Sequence, residues 1–408
     1  MSTATLNKVA TPSTPAAGKL SIFYDTADNK LKSIDEFAVV RAVELDGWRD
    51  HPTIGNGEME FWQRQAPGTL TTYSSVGGRV YTADRWFVSN ENLSVQAIRV
   101  DTETAKETGF GVRYYGQFSK ITTTGKFMIG QLLSSTVIAS MRGSQVRLQF
   151  NMKASAAKTI RLGLVQLAAA GTVDAVPISA GTWITAWGAN TVDPTLGTNL
   201  AYLTPVANSA DGGTISGSAM SCACTTAWKR FSCVFAPPVD CHDLMLCIWT
   251  DSQFAAADSV SFGECCIYDG PEVRTNFVAF PASIEFNRLQ RYYCKSFPVL
   301  TAPAASLSVA AAGAGEVGVV ARAGALALAD TIPIYFPIVM RGVPVVTLYT
   351  PVGAGAVPYR INGTTPAVQT AVAQLGLTER GLVVTATGDA AGAIGDLVGV
   401  HYTADAEL

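Results

Sequence analysis

Alternating hydrophobic and polar positions dominate the sequence and predict β-strands along most of its length. The clearest alternation places Val146, Leu148, Phe150 and Met152 on one face of a strand. Similar runs predict strands at 160–167, 228–235 and 244–249. Near the N-terminus, the pattern predicts a strand at 19–24, a turn at 25–30 and a second strand from Leu31 onward. The predicted fold class is therefore all-β.

One segment has helical periodicity. Within residues 282–293, Ile284, Leu289 and Tyr292 can share a flank, which predicts a helix there. The other segments are short strands bounded by Gly, Asn, Asp and Pro, a spacing typical of a β-sandwich or jelly roll. The sequence contains no repeat of fixed period, which argues against a β-helix or a propeller.

Composition divides the chain into three segments. Residues 1–55 have a lead-in rich in Pro, Thr, Ser and Ala, followed by a small N-terminal hairpin. Residues 56–296 contain most of the aromatic residues and all eight cysteines, and they are predicted to form one large sandwich. Residues 297–408 begin with a passage rich in Pro, Ala and Gly and are predicted to form a C-terminal β-sandwich. The predicted strands of this last segment lie at 331–337, 343–349 and 381–387.

The charge of the chain argues against nucleic-acid binding. Charged residues make up 15% of the chain, against about 25% in an average soluble protein, and 29 basic residues face 32 acidic ones. Without a positive surplus, the chain lacks the phosphate-neutralising charge of a nucleic-acid-binding protein. The low charge density leaves much neutral surface, which is easier to understand if part of it is buried between subunits.

The sequence predicts neither a secretory signal nor a membrane segment. The N-terminal residues lack the apolar core of a signal peptide. The most apolar stretch, 302–329, is mainly Ala and Gly and contains Glu316 and Arg322, so it does not predict a membrane helix. We therefore expect a protein that is made in a cytosol and stays soluble.

All eight cysteines lie within residues 222–294. Three interpretations stay open: small apolar core residues, cross-strand disulfides formed after release from the cell, or a metal site that includes His242. On a strand, Cys222 and Cys224 share a face, whereas the neighbours Cys265 and Cys266 point to opposite faces. The spacing assigns no metal site, and no cofactor is expected.

A series of motifs extends through most of the chain. It consists of Glu58-Met-Glu-Phe-Trp-Gln-Arg64, Tyr81-Thr-Ala-Asp-Arg-Trp86, Phe127-Met-Ile-Gly-Gln131, the strand from Gln145 to Lys153, Thr226-Ala-Trp-Lys-Arg-Phe231 and Leu289-Gln-Arg-Tyr-Tyr-Cys-Lys-Ser296. The series resembles the carbohydrate-binding-like jelly-roll module of tail-fibre and head-fibre (appendage) proteins of tailed bacteriophages. The segment 16–31 is similar to their attachment hairpins, and residues 340–349 and 401–408 are similar to fibre ends.

This resemblance implies a structural virion protein that is assembled in the bacterial cytoplasm. It implies an oligomeric fibre or spike, a homotrimer in this family, whose N-terminal segment docks to other virion proteins. The jelly roll would form the body, the C-terminal sandwich would lie distally, and host surface polysaccharide would be contacted during adsorption. The chain departs from the family because Cys294 follows the Gln-Arg-Tyr-Tyr run instead of preceding it, and because the segment 265–271 lacks the usual Gln-Leu-Glu stretch. No ligand site is therefore transferred from relatives.

Several aromatic residues of these motifs are predicted to be structural. Large aromatic side chains dominate protein cores, so Trp62 and Trp86 are predicted to be buried. Asp84 and an arginine are predicted to form a partly buried ion pair beneath them. The Arg291-Tyr-Tyr293 cluster is also predicted to pack, either within the sandwich or across a subunit interface.

The best sequence candidate for a glycan site is the segment 181–193. Glycan recognition needs an exposed ring for the apolar face of a sugar, with amides and carboxylates for its hydroxyls. A long loop is predicted here, and long loops inside compact domains are often functional. The predicted ligand-binding residues are Trp183, Trp187, Asn190 and Asp193. The alternative is that the tryptophans cap the sandwich or contact a neighbouring subunit.

The sequence contains only weak candidates for a catalytic site. Glycoside cleavage needs two carboxyl groups about 5–10 Å apart, and the loose cluster Glu264, Asp269 and Glu272 is predicted to be solvated. The three histidines suggest no Ser/His/Asp arrangement, and no Gly-rich phosphate loop is present. We therefore expect a protein that is not an enzyme. The alternatives are a decoration or connector protein without receptor binding, and a glycan depolymerase spike.

Overall fold

Strands account for nearly all of the regular structure in the computed structural model. The structure describes residues 8–9, 13–16, 21–25, 31–34, 40–42, 54–74, 78–92, 94–101, 113–120, 124–167, 183–208, 213–271, 277, 279–303, 318–321, 330–350, 359–360, 371–387 and 397–407. The chain divides into two units, Met1–His51 and Pro52–Leu408. The domain limits drawn from composition stay predictions. Across the described ranges, no helix has the length and hydrophobicity that a membrane crossing requires.

The first unit contains a four-stranded sheet. Its strands, in spatial order, are β1 (Lys8–Val9), β2 (Ser21–Asp25), β3 (Leu31–Ile34) and β4 (Val40–Ala42). β1 is parallel to β2, and the other pairs are antiparallel. The pairing of β2 with β3 confirms the two predicted hairpin strands, while the turn between them lies outside the described residues.

Two antiparallel sheets form the sandwich of the second unit. The strands of this region are β5 (Thr71–Tyr73), β6 (Val80–Tyr81), β7 (Trp86–Asn90), β8 (Val95–Asp101), β9 (Tyr114–Lys120), β10 (Phe127–Leu133), β11 (Val146–Ala154), β12 (Lys158–Leu167), β13 (Ile184–Ala186), β14 (Thr195–Leu196), β15 (Leu200–Leu203), β16 (Ala207–Asn208), β17 (Gly213–Ser216), β18 (Ala219–Cys224), β19 (Lys229–Phe235), β20 (Asp243–Thr250) and β21 (Ser259–Asp269). The eight-stranded sheet has the order β17-β18-β12-β20-β10-β7-β6, with β15 paired to β12. The seven-stranded sheet has the order β16-β19-β11-β21-β9-β8-β5, and β13 pairs with β14.

Alternation along the strands produces the core between these sheets. The four apolar side chains predicted to share a face of β11 are fully buried in one cluster, together with Leu162 and Leu164 of the opposite sheet. Burying a side chain of this size contributes about 1.5–3 kcal/mol to stability. The predicted strands at 160–167, 228–235 and 244–249 are also confirmed. The all-β sandwich prediction is therefore correct.

Trp62 and Trp86 are buried in this core, as predicted. Their indole Nε1 atoms donate hydrogen bonds to the carbonyl oxygens of Met59, at 2.8 Å, and Asn56, at 3.1 Å. The predicted ion pair joins Asp84 to Arg64, with 3.8 Å between Oδ1 and NH1. Gln63 Nε2 also donates to the Asp84 carboxylate at 2.6 Å, so this buried charge has several partners.

The helix is shorter than the pattern predicts. α1 spans Ala282–Gln290, and Tyr293 instead begins β22 (Tyr293–Lys295), which pairs with the last strand. Leu289 is buried as expected. The other buried residue of the helix is Glu285, and its carboxylate accepts a 2.5 Å hydrogen bond from the backbone N–H of Asn56.

The C-terminal strands form two further sheets. These strands are β23 (Gly318–Ala321), β24 (Asp330–Tyr335), β25 (Val345–Tyr349), β26 (Tyr359–Arg360), β27 (Ala371–Thr378), β28 (Gly381–Thr387) and β29 (Leu397–Asp405). β22, β23, β25 and β26 all pair with β29, and β24, β28 and β27 form a three-stranded sheet. Ile332, Leu348, Val384 and Val400 share a separate apolar core that also includes Cys294. The three strands predicted in this segment are confirmed.

All eight cysteines are buried free thiols. Cys222 and Cys224 contribute to the same core, while Cys265 and Cys266 lie on opposite faces of β21. Burial raises the pKa of the Cys265 thiol well above its ordinary value. In the described part of the chain, no group of three or more His, Cys, Asp or Glu residues is placed to hold a metal ion. This arrangement matches the interpretation of the cysteines as small core residues.

Candidate functional site

The two tryptophans of the predicted glycan site are buried. Trp183 is 3% exposed and Trp187 is 9% exposed. Trp183 packs edge-on against Phe87, with ring centroids 5.8 Å apart. Both tryptophans belong to an apolar cluster on the face of the eight-stranded sheet that is turned away from the main core. The expectation of exposed rings is wrong, because this face is itself apolar and the tryptophans cap it.

The two polar residues of the predicted site are separated. Asp193 Oδ1 lies 2.9 Å from Arg161 NH2, and Ser218 donates to Asp193 Oδ2 at 2.7 Å. Asp193 therefore holds the loop in place. Asn190 is exposed and lines a groove of about 600 Å³. The structure thus brings only Asn190 of the four predicted residues to an open surface.

Buried cations fix the loop that forms one wall of this groove. Lys126 Nζ donates to the carbonyl oxygens of Gly188, at 3.2 Å, and Ala189, at 2.8 Å. Arg161 NH1 donates to the carbonyl oxygen of Thr191 at 2.7 Å. The other groove residues are Glu91, Ser252 and Gln253, so the described lining is polar and contains no aromatic ring. The groove can bind hydroxyl groups, but it offers no ring for stacking.

A richer group of side chains lies on the outer face of the seven-stranded sheet. We define the sheet-face cluster as Tyr115, Asn151, Lys153, Trp228, Arg230 and Glu264. Asn151 of β11 is directly opposite Arg230 of β19 and Gly263 of β21. Odd-numbered residues of β11 face away from the core because its even-numbered residues face inward. The cluster therefore crosses four neighbouring strands on one surface.

The aromatic part of the cluster consists of Trp228 and Tyr115. Their rings meet at 78°, with centroids 5.1 Å apart, and Lys153 Nζ lies 4.9 Å from the Trp228 centroid. Trp228 is half-buried. Its Nε1 atom is buried and makes no hydrogen bond to any residue that the structure describes. A buried donor without a partner is rare in proteins, and Trp183 and Trp249 have Nε1 atoms of the same kind in the described structure.

The polar part of the cluster is centred on Glu264. Asn151 Nδ2 donates to Glu264 Oε2 at 2.5 Å, and Arg230 NH2 lies 3.9 Å from the same oxygen. The prediction of a solvated Glu264 is wrong, because its side chain is only 11% exposed. Asp269 is exposed, and Glu272 lies outside the described residues. Burial raises the pKa of the Glu264 carboxyl, while Arg230 and the Asn151 amide favour the charged form.

A β-bulge positions Glu264. The register between β11 and β21 shifts between Gln149 and Asn151, and Glu264 has a φ of 49°. This left-handed backbone is uncommon for a residue with a side chain, and such strain concentrates at functional sites. The backbone N–H of Cys265 donates to the Gly57 carbonyl at 3.0 Å. A Cβ atom on Gly57 would lie 2.1 Å from the Cys265 oxygen, so only glycine permits this close approach.

Glu58 adds a titratable group beside the cluster. Burial raises its pKa to about 7, with further contributions from the negative charges of Glu60, Glu264 and Glu285, while Arg113 acts in the opposite direction. The Glu58 carboxyl therefore keeps its proton to a higher pH than an exposed carboxyl does. This region combines aromatic surface, amide groups, cations and carboxylates, which is the chemistry that a glycan site needs.

Sequence reasoning did not single out the sheet-face cluster, although a signal was present. The alternation that places Val146, Leu148, Phe150 and Met152 in the core also places Asn151 and Lys153 on the opposite face. Four polar side chains and a tryptophan, namely Asn151, Lys153, Arg230, Glu264 and Trp228, lie together on adjacent outer faces and take no part in the core. The missing information was which strands are neighbours, and that depends on contacts between distant segments.

No protein-family model and no curated protein matches the sequence. Among solved structures, a sugar-binding protein from Bacteroides thetaiotaomicron VPI-5482 is similar over 54% of this chain and 100% of its own, at 11% identity and a TM-score of 0.33. A family 30 carbohydrate-binding module is similar over 56% of this chain and 95% of its own, at 11% identity and a TM-score of 0.26. The enzymatically active domain of tailspike protein 4 of bacteriophage CBA120 is similar over 53% of this chain and 21% of its own, at 8% identity and a TM-score of 0.27. Similarity at these identities and TM-scores does not show which ligand this chain binds.

Proposed function

We propose that this protein is a non-enzymatic structural protein of a tailed phage or phage-like particle that binds host surface glycans through the sheet-face cluster. The observation that carries the glycan site is the half-buried Trp228 ring on the outer sheet face, which packs against Tyr115 and has Lys153 Nζ 4.9 Å from its centroid. Beside it, Asn151, Arg230 and Glu264 provide amide, guanidinium and carboxylate groups within one connected network.

The geometry suits a saccharide. The exposed part of the Trp228 ring provides apolar surface for the C–H face of a pyranose. Arg230 Nε donates to Asn151 Oδ1 at 3.3 Å, and Asn151 in turn donates to Glu264, so these groups are oriented before a ligand arrives. Preorganisation of this kind reduces the entropy that binding costs.

The particle role rests on the fibre motifs and on the low charge of the chain. Charged residues are 15% of the sequence, which suits a protein with surface buried between copies. In this proposal the protein is a homotrimeric fibre or spike of the virion, and its N-terminal segment docks to other virion proteins. Many weak glycan sites on one particle would act together and raise avidity about 10²–10⁴-fold.

Binding of the full-length protein to an array of bacterial capsular and O-antigen polysaccharides tests the glycan site. We expect saturable binding to at least one polysaccharide, weakened at least tenfold by Trp228→Ala. Tyr335→Ala is the matched control, because Tyr335 is 80% exposed in the C-terminal part, and it should bind like the wild type. Absence of binding across the array, or equal binding by folded Trp228→Ala, would overturn the proposal.

Glycan cleavage is a second candidate function, favoured by the electrostatic influence of Glu264 on the Glu58 carboxyl. Burial and neighbouring carboxylates raise the pKa of Glu58 to about 7, and a raised pKa suits a general acid. A depolymerase would release new reducing ends from the bound polysaccharide, and Glu58→Gln would abolish their release. Under the main proposal, prolonged incubation releases none.

A further inference from the structure

Two arginines of the sandwich bind the carboxylate of Glu407, which follows the last strand. Arg64 NH1 lies 3.3 Å from Glu407 Oε1, and Arg85 NH1 lies 3.4 Å from Glu407 Oε2. The backbone N–H of Arg85 also donates to Oε1, at 3.1 Å. The Glu407 side chain is fully buried. Both of its oxygens are therefore held, inside the protein, by groups from distant parts of the sequence.

Tyrosine rings hold these guanidinium groups in place. The Arg64 guanidinium lies 4.0 Å from the centroid of the Tyr293 ring, and the Arg85 guanidinium lies 3.6 Å from the centroid of the Tyr292 ring. Arg85 NH2 also donates to the carbonyl oxygen of Leu132. Planar guanidinium groups stack on aromatic rings and present paired donors to a carboxylate. The binding groups are therefore oriented by contacts that do not involve Glu407.

The backbone of Arg85 is adapted to the same contact. Its φ of 72° is left-handed, which is uncommon for a residue with a side chain, and such strain concentrates at functional sites. The N–H of this strained residue is the one that donates to Glu407. Arg64, Arg85, Tyr292 and Tyr293 come from three of the motifs found in the sequence, and the proposed glycan site uses none of them. These motif residues therefore converge on one carboxylate.

The apolar pattern of β29 does not define its register completely. Val400, Tyr402, Ala404 and Ala406 lie at alternate positions and share one apolar core. Because side chains alternate with a period of two, a slip by one residue would turn them away from the core, whereas a slip by two residues would keep apolar side chains facing it. A slip by two residues would, however, move Glu407 away from its arginines and leave buried charges without a partner, which is costly.

We infer that Arg64, Arg85, Tyr292 and Tyr293 form a carboxylate-binding site whose ligand is the chain's own Glu407, and that this site fixes the register of β29. A buried ion pair stabilises a fold little more than apolar side chains of similar volume do. Its advantage here is specificity, because a wrong register leaves charges unpaired. Four strands pair with β29, so its register determines how the C-terminal sheet assembles. The inference is independent of glycan binding.

Chemical rescue of full-length Glu407→Ala tests the binding site. The substitution removes the methylene and carboxylate groups that acetate can replace. Compared with sodium chloride at equal concentration, about 0.1 M sodium acetate should raise the thermal unfolding midpoint of Glu407→Ala by about 2 °C or more. Acetamide, the neutral match, should not raise it, and the wild type should respond equally to acetate and chloride. If Glu407→Ala is unfolded in buffer, acetate but not acetamide should refold it, as followed by circular dichroism.

Asp258→Ala is the matched control for the rescue. It breaks an ion pair with Lys158 whose side chains are partly exposed, so water can replace the lost carboxylate and acetate should act like chloride. Equal effects of acetate, acetamide and chloride on Glu407→Ala would overturn the binding site.

Hydrogen exchange in the segment 397–407 tests the role of the site in register. The Tyr402 N–H donates to Ser296 Oγ at 2.9 Å, and the Ala406 N–H donates to the Tyr292 carbonyl oxygen at 2.8 Å. Both amides should exchange at least tenfold faster in Glu407→Ala than in the wild type, and acetate should restore their protection. Unchanged exchange in folded Glu407→Ala would show that the register of β29 does not depend on this site.

Discussion

The side-chain amide of Asn151 donates a 2.5 Å hydrogen bond to Glu264 Oε2, and this contact connects two neighbouring strands on the outer face of the seven-stranded sheet. Glu264 reaches Asn151 because a bulge gives it a left-handed backbone. Arg230, on the strand on the other side of Asn151, completes the network. This polar and strained arrangement lies on the sheet face that the proposed glycan site uses.

Trp183→Ala should destabilise the protein without affecting the proposed glycan site. Trp183 is buried against Phe87 on the outer face of the eight-stranded sheet, and removing such a ring costs about 3–5 kcal/mol. Denaturant unfolding would measure this loss. Under conditions where the variant remains folded, its polysaccharide affinity should equal that of the wild type. Lower polysaccharide affinity in the folded variant would instead support a glycan site in the segment 181–193, as predicted from the sequence.

Glu407→Gln should loosen the attachment of the last residues to the sandwich. The Glu407 carboxylate is fully buried and lies 3.3 Å from Arg64 and 3.4 Å from Arg85. Breaking a buried ion pair from one side costs about 3–5 kcal/mol, because an uncompensated charge remains. Asp405→Asn is the matched control: Asp405 is 34% exposed, and its pair with Arg64 should contribute about 1 kcal/mol or less. Equal unfolding midpoints for the two variants would contradict this ranking.

Glu58→Gln should change how stability depends on pH. The pKa of Glu58 is raised from 4.5 to about 7 in the folded protein, so the folded state holds the proton more tightly than the unfolded state does. The contribution of this group to stability is therefore complete below about pH 4.5 and is lost as the pH rises through 7. Compared with the wild type, Glu58→Gln should be equally stable at pH 4 and more stable at pH 8, by on the order of 1–2 kcal/mol after solvent screening.

Thermal unfolding at both pH values would measure this effect. Asp269→Asn is the control, because Asp269 is exposed, and it should follow the wild type at both pH values. A wild-type protein whose stability increases between pH 5 and pH 8 relative to Glu58→Gln would show that the Glu58 carboxyl is not raised in pKa.

The eight cysteines should be unreactive in the folded protein and fully reactive after denaturation. All of them are buried free thiols, and burial raises the pKa of Cys224 and Cys233 to about 12. Thiol titration with a water-soluble disulfide reagent should give no fast-reacting group in buffer and eight groups in denaturant. A total below eight in denaturant without reductant would instead indicate disulfide bonds.

The fold could be predicted from the sequence because strand alternation is a local signal. Val146, Leu148, Phe150 and Met152 define the buried face of β11 without knowledge of its neighbours. The end of the helix could not be predicted in the same way, because Tyr293 pairs with Asp405 in a β-sheet and the helix ends at Gln290. The pattern of residues 282–293 contains no information about a strand that lies more than 100 residues away in the sequence.

The candidate site could be predicted only in part, because it depends on contacts between distant segments. The local sequence around a tryptophan among Gly, Thr and Asn is the same whether its ring is exposed or covers an apolar sheet face. Trp187 is buried because the outer face of the eight-stranded sheet is apolar, a property of several distant strands together. Trp228 and Glu264 become neighbours only through strand order and a bulge.

The most direct test of the central claim is ¹⁹F NMR of protein labelled with 5-fluorotryptophan, titrated with an oligosaccharide from the polysaccharide that it binds. The chain has seven tryptophans, and single Trp→Phe substitutions would assign their resonances. We predict that the Trp228 resonance shifts saturably, while those of the buried Trp62, Trp86 and Trp183 do not. An unchanged Trp228 resonance together with a saturable shift of Trp187 would contradict the account.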